Sequence, residues 1–379
     1  MNGNQVPDDV VSRSGGGFRI DHAEGKIISK YTCGVAMLLA PFYACASFIA
    51  GPTNSDSWGP THYAAVDVAG IFYFILGLLL IHCTLMEWEK GRNDLTWLSL
   101  VCIAFGTNLF FYAFVEPAFS HVYSFFLVAL SLFLAIRSRR GPWNMWSLFL
   151  FATSNALIVL IRPVDIIAVL ALYALLFVAA PNLLGSKRVW LVQGLMFFII
   201  SAPQMLYWKH VFGEWVVYSY AGEGFTNWAA PKIAEVLAAP LNGLLPHAPV
   251  FALLPLGLWA IHQRDRIMAL IFAAMFALIL YTCAAWHSWH FGCAYGMRPL
   301  VQYTPFLALG LYALFCWAKD HRVGLLHGAM PMIVLICFVN YRFMLYKEIC
   351  YPGETWDWKY YGRELAETFF GSLPTEHYR

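Results

Sequence analysis

Between Tyr281 and Pro305 the chain reads YTCAAWHSWHFGCAYGMRPLVQYTP. Trp286, His287, Trp289, His290 and Arg298 fall in this stretch with no acidic residue to balance the arginine. One apolar run stops at Trp286 and another resumes near Leu300, so the segment is a polar shelf between two helices. Flat aromatic faces and one fixed cation, placed where a membrane meets water, suit a sugar ring and a phosphate better than a bare ion. His287 and His290 are three apart and could share a helix face as metal ligands. No third ligand is in view, so no metal site is assigned; at most a divalent cation would be carried.

Other polar groups fall at similar boundaries. Glu116 and His121 lie in FVEPAFSHVYSFF, a short turn between apolar runs. Glu116-Pro117 ends one helix, because the residue before proline is pushed out of the helical region, and Ser120 is placed to cap the next. The plain reading is a solvated turn. The chemical one is a carboxylate and an imidazole able to bind a hydroxyl or move a proton. Arg162-Pro163-Val164-Asp165 interrupts another apolar stretch. Charge at membrane depth costs about 2.5–3.5 kcal/mol per residue on insertion scales, so this pair either tolerates a turn or binds an anion. Glu223, between glycines in AGEGF, is suited to reaching a substrate. Asp56 and His62 in GPTNSDSWGPTHY, with Asp67 just beyond, complete the acids of this kind.

The elements that must position these residues are apolar helices. The chain is 60% hydrophobic, 17% aromatic and 12% charged, with mean hydropathy +0.60. About 25% charged residues is usual for soluble domains, so this balance belongs to a polytopic membrane protein. Runs near bilayer length fall at about 64–86, 95–114, 120–136, 145–161, 166–180, 190–207, 248–262, 267–285, 300–317 and 325–341, with an ambiguous one at 32–50. The expected fold is therefore all-α, with about ten or eleven transmembrane helices and interfacial helices in the longer loops. It divides into a polar segment 1–31, a transmembrane region 32–341 and an aromatic-rich tail 342–379.

Lysines and arginines mark every second connection: Lys90 and Arg92, Arg137 to Arg140, Lys187 and Arg188, Arg264 and Arg266, Lys319 and Arg322. By the positive-inside rule those turns are cytoplasmic, and the elaborate loops holding the residues above face outward. Nine cysteines are scattered without CxxC spacing, mostly inside apolar runs, and indicate neither a disulfide framework nor a zinc site. The net charge of +2 sits in short loops and points to no nucleic-acid partner.

Several stretches resemble the GT-C superfamily of integral membrane glycosyltransferases, in particular bacterial lipid-A aminoarabinose and galacturonic acid transferases and protein mannosyltransferases. They are KYTCGVAMLLAPFY, GTNLFFYAFVEPAFSHVYSFF, IRPVD and, most specifically, WHSWHFGCAYGMRPLVQYTPFLALGL. The likeness covers roughly residues 30 to 311. It implies transfer of a sugar from a polyprenyl-phosphate donor to a lipid, glycan or protein acceptor, at the outer face of a bacterial cytoplasmic membrane and with no resident cofactor. It also implies that the chain lacks the family's first transmembrane helix and the acidic motif that follows it. Asp8, Asp9, Asp21 and Glu24 would then belong to the later part of the first periplasmic loop, and 32–50 would lie along the outer surface. The base falls to Asp56 or Glu116. Arg298 and Arg162 would hold the phosphate, and Trp286, His287, Trp289 and His290 would wall the sugar, with His121, Asp165 and Glu223 completing the binding set.

Two other functions compete. A transporter or lipid flippase needs polar groups at mid-membrane depth on broken helices, whereas here the apolar runs are nearly free of charge in their middles. A catalytically degenerate membrane scaffold would account for the missing acidic motif.

Overall fold

The computed structural model describes residues 17–21, 26–51, 59–89, 92–141, 143–220, 222–321, 325–346 and 356–370. The fold is all-α apart from a small hairpin, β1 (Phe18–Asp21) against β2 (Lys26–Ser29), antiparallel with Phe18 opposite Ser29. The helices are α1 (Gly34–Ala50), α2 (Pro60–Trp88), α3 (Asn93–Phe105), α4 (Leu109–Phe114), α5 (His121–Arg137), α6 (Met145–Ile161), α7 (Ile166–Ala179) and α8 (Pro181–Leu184). There follow α9 (Lys187–Phe212), α10 (Ile233–Ala238), α11 (Leu244–His247), α12 (Leu254–His262), α13 (Arg266–Ala285), α14 (Thr304–Asp320), α15 (Leu325–Tyr346) and α16 (Trp358–Phe370). Short 3-10 turns lead into α7, α12 and α14.

Among the described residues, five helical segments are long and apolar enough to cross a membrane, and six shorter apolar helices accompany them. Their outer surfaces carry large exposed apolar side chains, among them Phe48, Trp97, Trp146, Leu191 and Phe198. A water-facing surface rarely tolerates so many, and such a surface suits contact with lipid. In the most apolar 18 residues of Arg298–Asp320, 89% are buried, and in those of His121–Arg140, 78%, whereas in those of α9 only 17% are. So α5 and α14 form the centre, and α9 packs at the edge against α6. α2 lies mainly along α5, and α12 crosses α14. At that crossing the backbones nearly touch: a Cβ on Gly257 would come within 2.8 Å of the carbonyl carbon of Gly310.

At one end the basic turns interlock through ion pairs. Arg139 meets Asp265 at 2.7 Å, Arg140 meets Glu87 at 2.7 Å and Lys319 meets Asp94 at 2.6 Å. Arg264 bridges Glu89 and Asp320, and Arg92 also reaches Asp320. Such partly exposed pairs contribute only about 0–1 kcal/mol each, so they mark an end of the molecule more than they stabilise it. The turn before α5, the turn before α7 and the turn before α14 meet one another in a separate polar cluster.

Several local expectations are revised. The apolar run 95–114 is not one helix: it breaks at Gly106–Asn108 between α3 and α4. A Cβ on Gly106 would lie 2.1 Å from Val250, so glycine there lets the turn before α12 come close. Ser120 sits at the start of α5, but its side chain makes no capping hydrogen bond. The run 32–50 is a helix, α1, laid against α2, with Ser47 Oγ 3.1 Å from His62 Nε2. The tail contains a docked helix: Trp356 Nε1 donates to the Pro240 carbonyl at 2.7 Å and Tyr361 to the Pro246 carbonyl at 2.7 Å.

Candidate functional site

The loop end is organised around Asp165, which is fully buried at the start of α7. Arg162 leaves α6 in an extended conformation (φ −145°) because Pro163 follows it, and its side chain turns back toward the protein. Its Nε stands 3.5 Å from Asp165 Oδ2, and its Nη1 stands 3.4 Å from His121 Nδ1. Gln302 donates from Nε2 to both Asp165 oxygens at 2.9 Å, and Tyr303 donates to Oδ1 at 3.3 Å. Gln302 Oε1 lies 3.4 Å from His121 Nδ1. A buried carboxylate is costly unless its lone pairs are filled, and here Gln302 and Tyr303 donate to them while the Arg162 charge stands beside them. The 3-10 turn Arg298–Tyr303, which precedes α14, delivers both Gln302 and Tyr303.

Arg298 begins that turn. Its guanidinium packs 4.9 Å over the Phe119 ring, and among the described residues no carboxylate lies within ion-pair distance of it. The charges of Arg162 and Arg298 act on each other and on His121. Glu116, in the turn between α4 and α5, is half-buried. Burial pushes its carboxyl above the usual carboxylate range, and the nearby Arg298 charge opposes this only in part. Its side chain has no hydrogen-bond or ion-pair partner among the described residues.

If Glu116 removes a proton from a substrate, the active form is the ionised one. Activity should then fall as pH drops through a value above ordinary glutamate, about 4.3. Glu116→Gln should abolish that limb, and a pH–rate profile of the variant matching the native one would dismiss Glu116 as the base.

The outer side of the cluster comes from distant segments. Lys30 Nζ sits 2.5 Å from Glu223 Oε1 and 4.9 Å over the Tyr220 ring. Tyr220 contacts Tyr31 and Trp286 edge-on, and Phe225 meets Trp286 at 4.9 Å. The hairpin is held here by α9: Tyr207 Oη accepts from Ser29 N at 2.7 Å and donates to the Ile27 carbonyl at 3.0 Å. A two-stranded hairpin is marginal alone, so these ties fix it.

Thus Glu116, His121, Arg162, Asp165 and Arg298 come together, with Glu223 and Trp286 on their outer flank. His287 is exposed, facing Gly224 at 3.4 Å. His290 is turned toward Ser288, with its backbone carbonyl held by Asn242 at 2.9 Å, and Trp289 packs on the core. The shared helix face of His287 and His290 is not formed, because α13 ends at Ala285 and turns follow. Among the described residues no group of three His, Cys, Asp or Glu could hold a metal. Asp56, the other expected base, lies outside the described residues. One cysteine expectation is overturned: Cys293, in the loop before Arg298, is disulfide-bonded. Spacing alone did not reveal it, because such pairs depend on distance in space.

The sequence alone does not single out Gln302, Tyr303, Lys30 or Asn242. Gln302 had a signal, as an uncharged polar residue opening an apolar run only four positions after Arg298. Asn242 adopts φ +54° and ties the shelf together, accepting from Gly296 N at 3.2 Å and donating to the Gly292 carbonyl at 2.9 Å. No family model matches the chain, and neither the curated proteins nor the solved structures contain a match.

Proposed function

We propose that this protein is a GT-C-type membrane glycosyltransferase. It takes a sugar from a polyprenyl-phosphate donor and passes it to a hydroxyl of a lipid, glycan or protein acceptor. The observation that carries this reading is the pairing of two guanidinium groups, Arg162 and Arg298, with an unpartnered half-buried carboxylate, Glu116, at one end of an apolar helical protein. Inverting transfer needs both kinds of group. Glu116 takes the acceptor proton, and the acceptor oxygen attacks the anomeric carbon. The bond from that carbon to the phosphate oxygen breaks, and its electron pair leaves on the polyprenyl phosphate. Arg298 and Arg162 stabilise the anion as it forms. Tyr220 and Trp286 offer faces for the sugar on the outer flank.

In this reading the ten or eleven apolar helices span a bacterial cytoplasmic membrane, and the cluster lies at its outer surface. Two features support that orientation: the basic turns lie at the opposite end, and a disulfide at Cys293 suits an oxidising compartment.

The test uses the purified full chain in lipid nanodiscs, offered synthetic polyprenyl-phosphate hexoses, pentoses and uronic acids. Release of free polyprenyl phosphate in the presence of a lipid acceptor is the expected result. Absence of release from every donor, together with no binding of polyprenyl phosphate itself, would overturn the proposal.

A further inference from the structure

His121, Gln302 and Asp165 are all essentially buried and arranged in series. The orientation of the middle residue follows from chemistry. Gln302 presents one amide end to both oxygens of Asp165 at 2.9 Å. A carboxylate has only lone pairs to offer, so that end must be the NH2 group. The carbonyl end of Gln302 then has to face His121 Nδ1, 3.4 Å away.

We propose that Asp165 and Gln302 form an amide relay that sets the tautomer of His121, placing the ring proton on Nδ1 and leaving Nε2 as the ring's acceptor. Gln302 is a positioning residue in this scheme. The inference deepens the transferase reading, in which His121 would accept a hydrogen bond from a substrate hydroxyl, but the relay itself follows from the buried geometry.

One contact competes. Arg162 Nη1 is also 3.4 Å from His121 Nδ1, and a lone pair there could accept from the guanidinium. The two distances are equal, so the cost of leaving each group unsatisfied decides. Gln302 Oε1 is enclosed and has no donor other than His121 among the described residues, and a buried unpaired carbonyl costs about 1–3 kcal/mol. Arg162 keeps a side chain 20% exposed and faces the Asp165 charge at 3.5 Å; its Nε is buried without a hydrogen-bond partner whichever tautomer His121 adopts, and its Nη groups can turn to water. The proton therefore belongs between Nδ1 and Gln302. Arg162 stays in place through Asp165.

The relay carries a consequence at a distance. In Asp165→Asn the side chain keeps its shape but can present an NH2 group to Gln302. Gln302 would then turn its amide over, accept that N–H through its oxygen and point its own NH2 at His121. The ring proton would have to move to Nε2. The substitution lies outside the imidazole and two hydrogen bonds away from it, so a merely structural role for Asp165 would not exchange the two ring nitrogens.

The experiment is nitrogen NMR of the full chain labelled at histidine ring nitrogens, with the His121 signals identified by their loss in His121→Gln. In the native protein at neutral pH, Nδ1 is expected to be protonated (pyrrole-type) and Nε2 unprotonated (pyridine-type). In Asp165→Asn the two types should exchange. A native His121 carrying its proton on Nε2 overturns the relay and gives the contact to Arg162, a result that needs no variant to fold. A folded Asp165→Asn protein with an unchanged tautomer overturns it as well. Binding of polyprenyl phosphate, measured on the same native sample, separates the two proposals. Exchange without lipid binding or donor turnover keeps the relay and removes the transferase reading; lipid binding with a proton on Nε2 does the reverse.

Discussion

Replacing Arg298 by alanine is expected to lower sugar transfer from a polyprenyl-phosphate donor by roughly 100- to 1,000-fold, the usual loss when one stabilising group for a developing anion is removed. The position justifies the size. Arg298 has no carboxylate to neutralise it among the described residues, and it stacks on Phe119. In the proposed transfer, a guanidinium so placed takes the phosphate anion of the donor. Arg298→Lys keeps the charge but loses the planar fork, so an intermediate loss is expected. The measurement is the initial rate of polyprenyl-phosphate release at saturating donor, with folding checked by size-exclusion chromatography. A folded alanine variant within about threefold of native would dismiss the phosphate role, since that corresponds to less than about 1 kcal/mol.

The second large effect is on the loop that carries this arginine. Gly292 and Gly296 both have positive φ, +68° and +65°. Their surroundings differ: a Cβ on Gly292 would meet nothing within 4 Å, whereas one on Gly296 would fall 2.5 Å from His247 Cβ. Gly292→Ala should therefore cost only the left-handed backbone penalty, about 1–2 kcal/mol. Gly296→Ala adds overpacking against a buried residue, which costs typically about 1–3 kcal/mol more. Gly296 N also donates to Asn242, so displacement there should move Arg298, two residues on, and reduce transfer as well. Thermal unfolding of both variants in detergent tests this directly. Equal destabilisation would mean that the His247 contact relaxes at no cost.

Much of the cluster was legible because chain chemistry and chain geometry coincide at helix ends. Glu116-Pro117 and Arg162-Pro163 must break helices, and a charged residue at such a break stays near an end of the bundle. Glu116, Arg162 and Arg298 could be singled out on those grounds. Glu223, read as reaching toward substrate, meets Lys30, a partner 193 positions away in the chain that no local pattern announces. The pairing of His287 with His290 failed for a different reason: three-residue spacing places side chains together only on a helix, and α13 has already ended.

The sequence by itself determined that the protein is built of apolar helices, where most of those helices begin and end, and that basic and polar connections alternate along the chain. These are properties of neighbouring residues: burial preference, proline geometry and charge in short turns act over one or two helical turns. Only the tertiary structure decided that Gln302 stands between Asp165 and His121, that Lys30 closes on Glu223, and that Tyr207 holds the hairpin. Those contacts join residues far apart in the chain, and their formation depends on how the helices pack, which no local preference encodes.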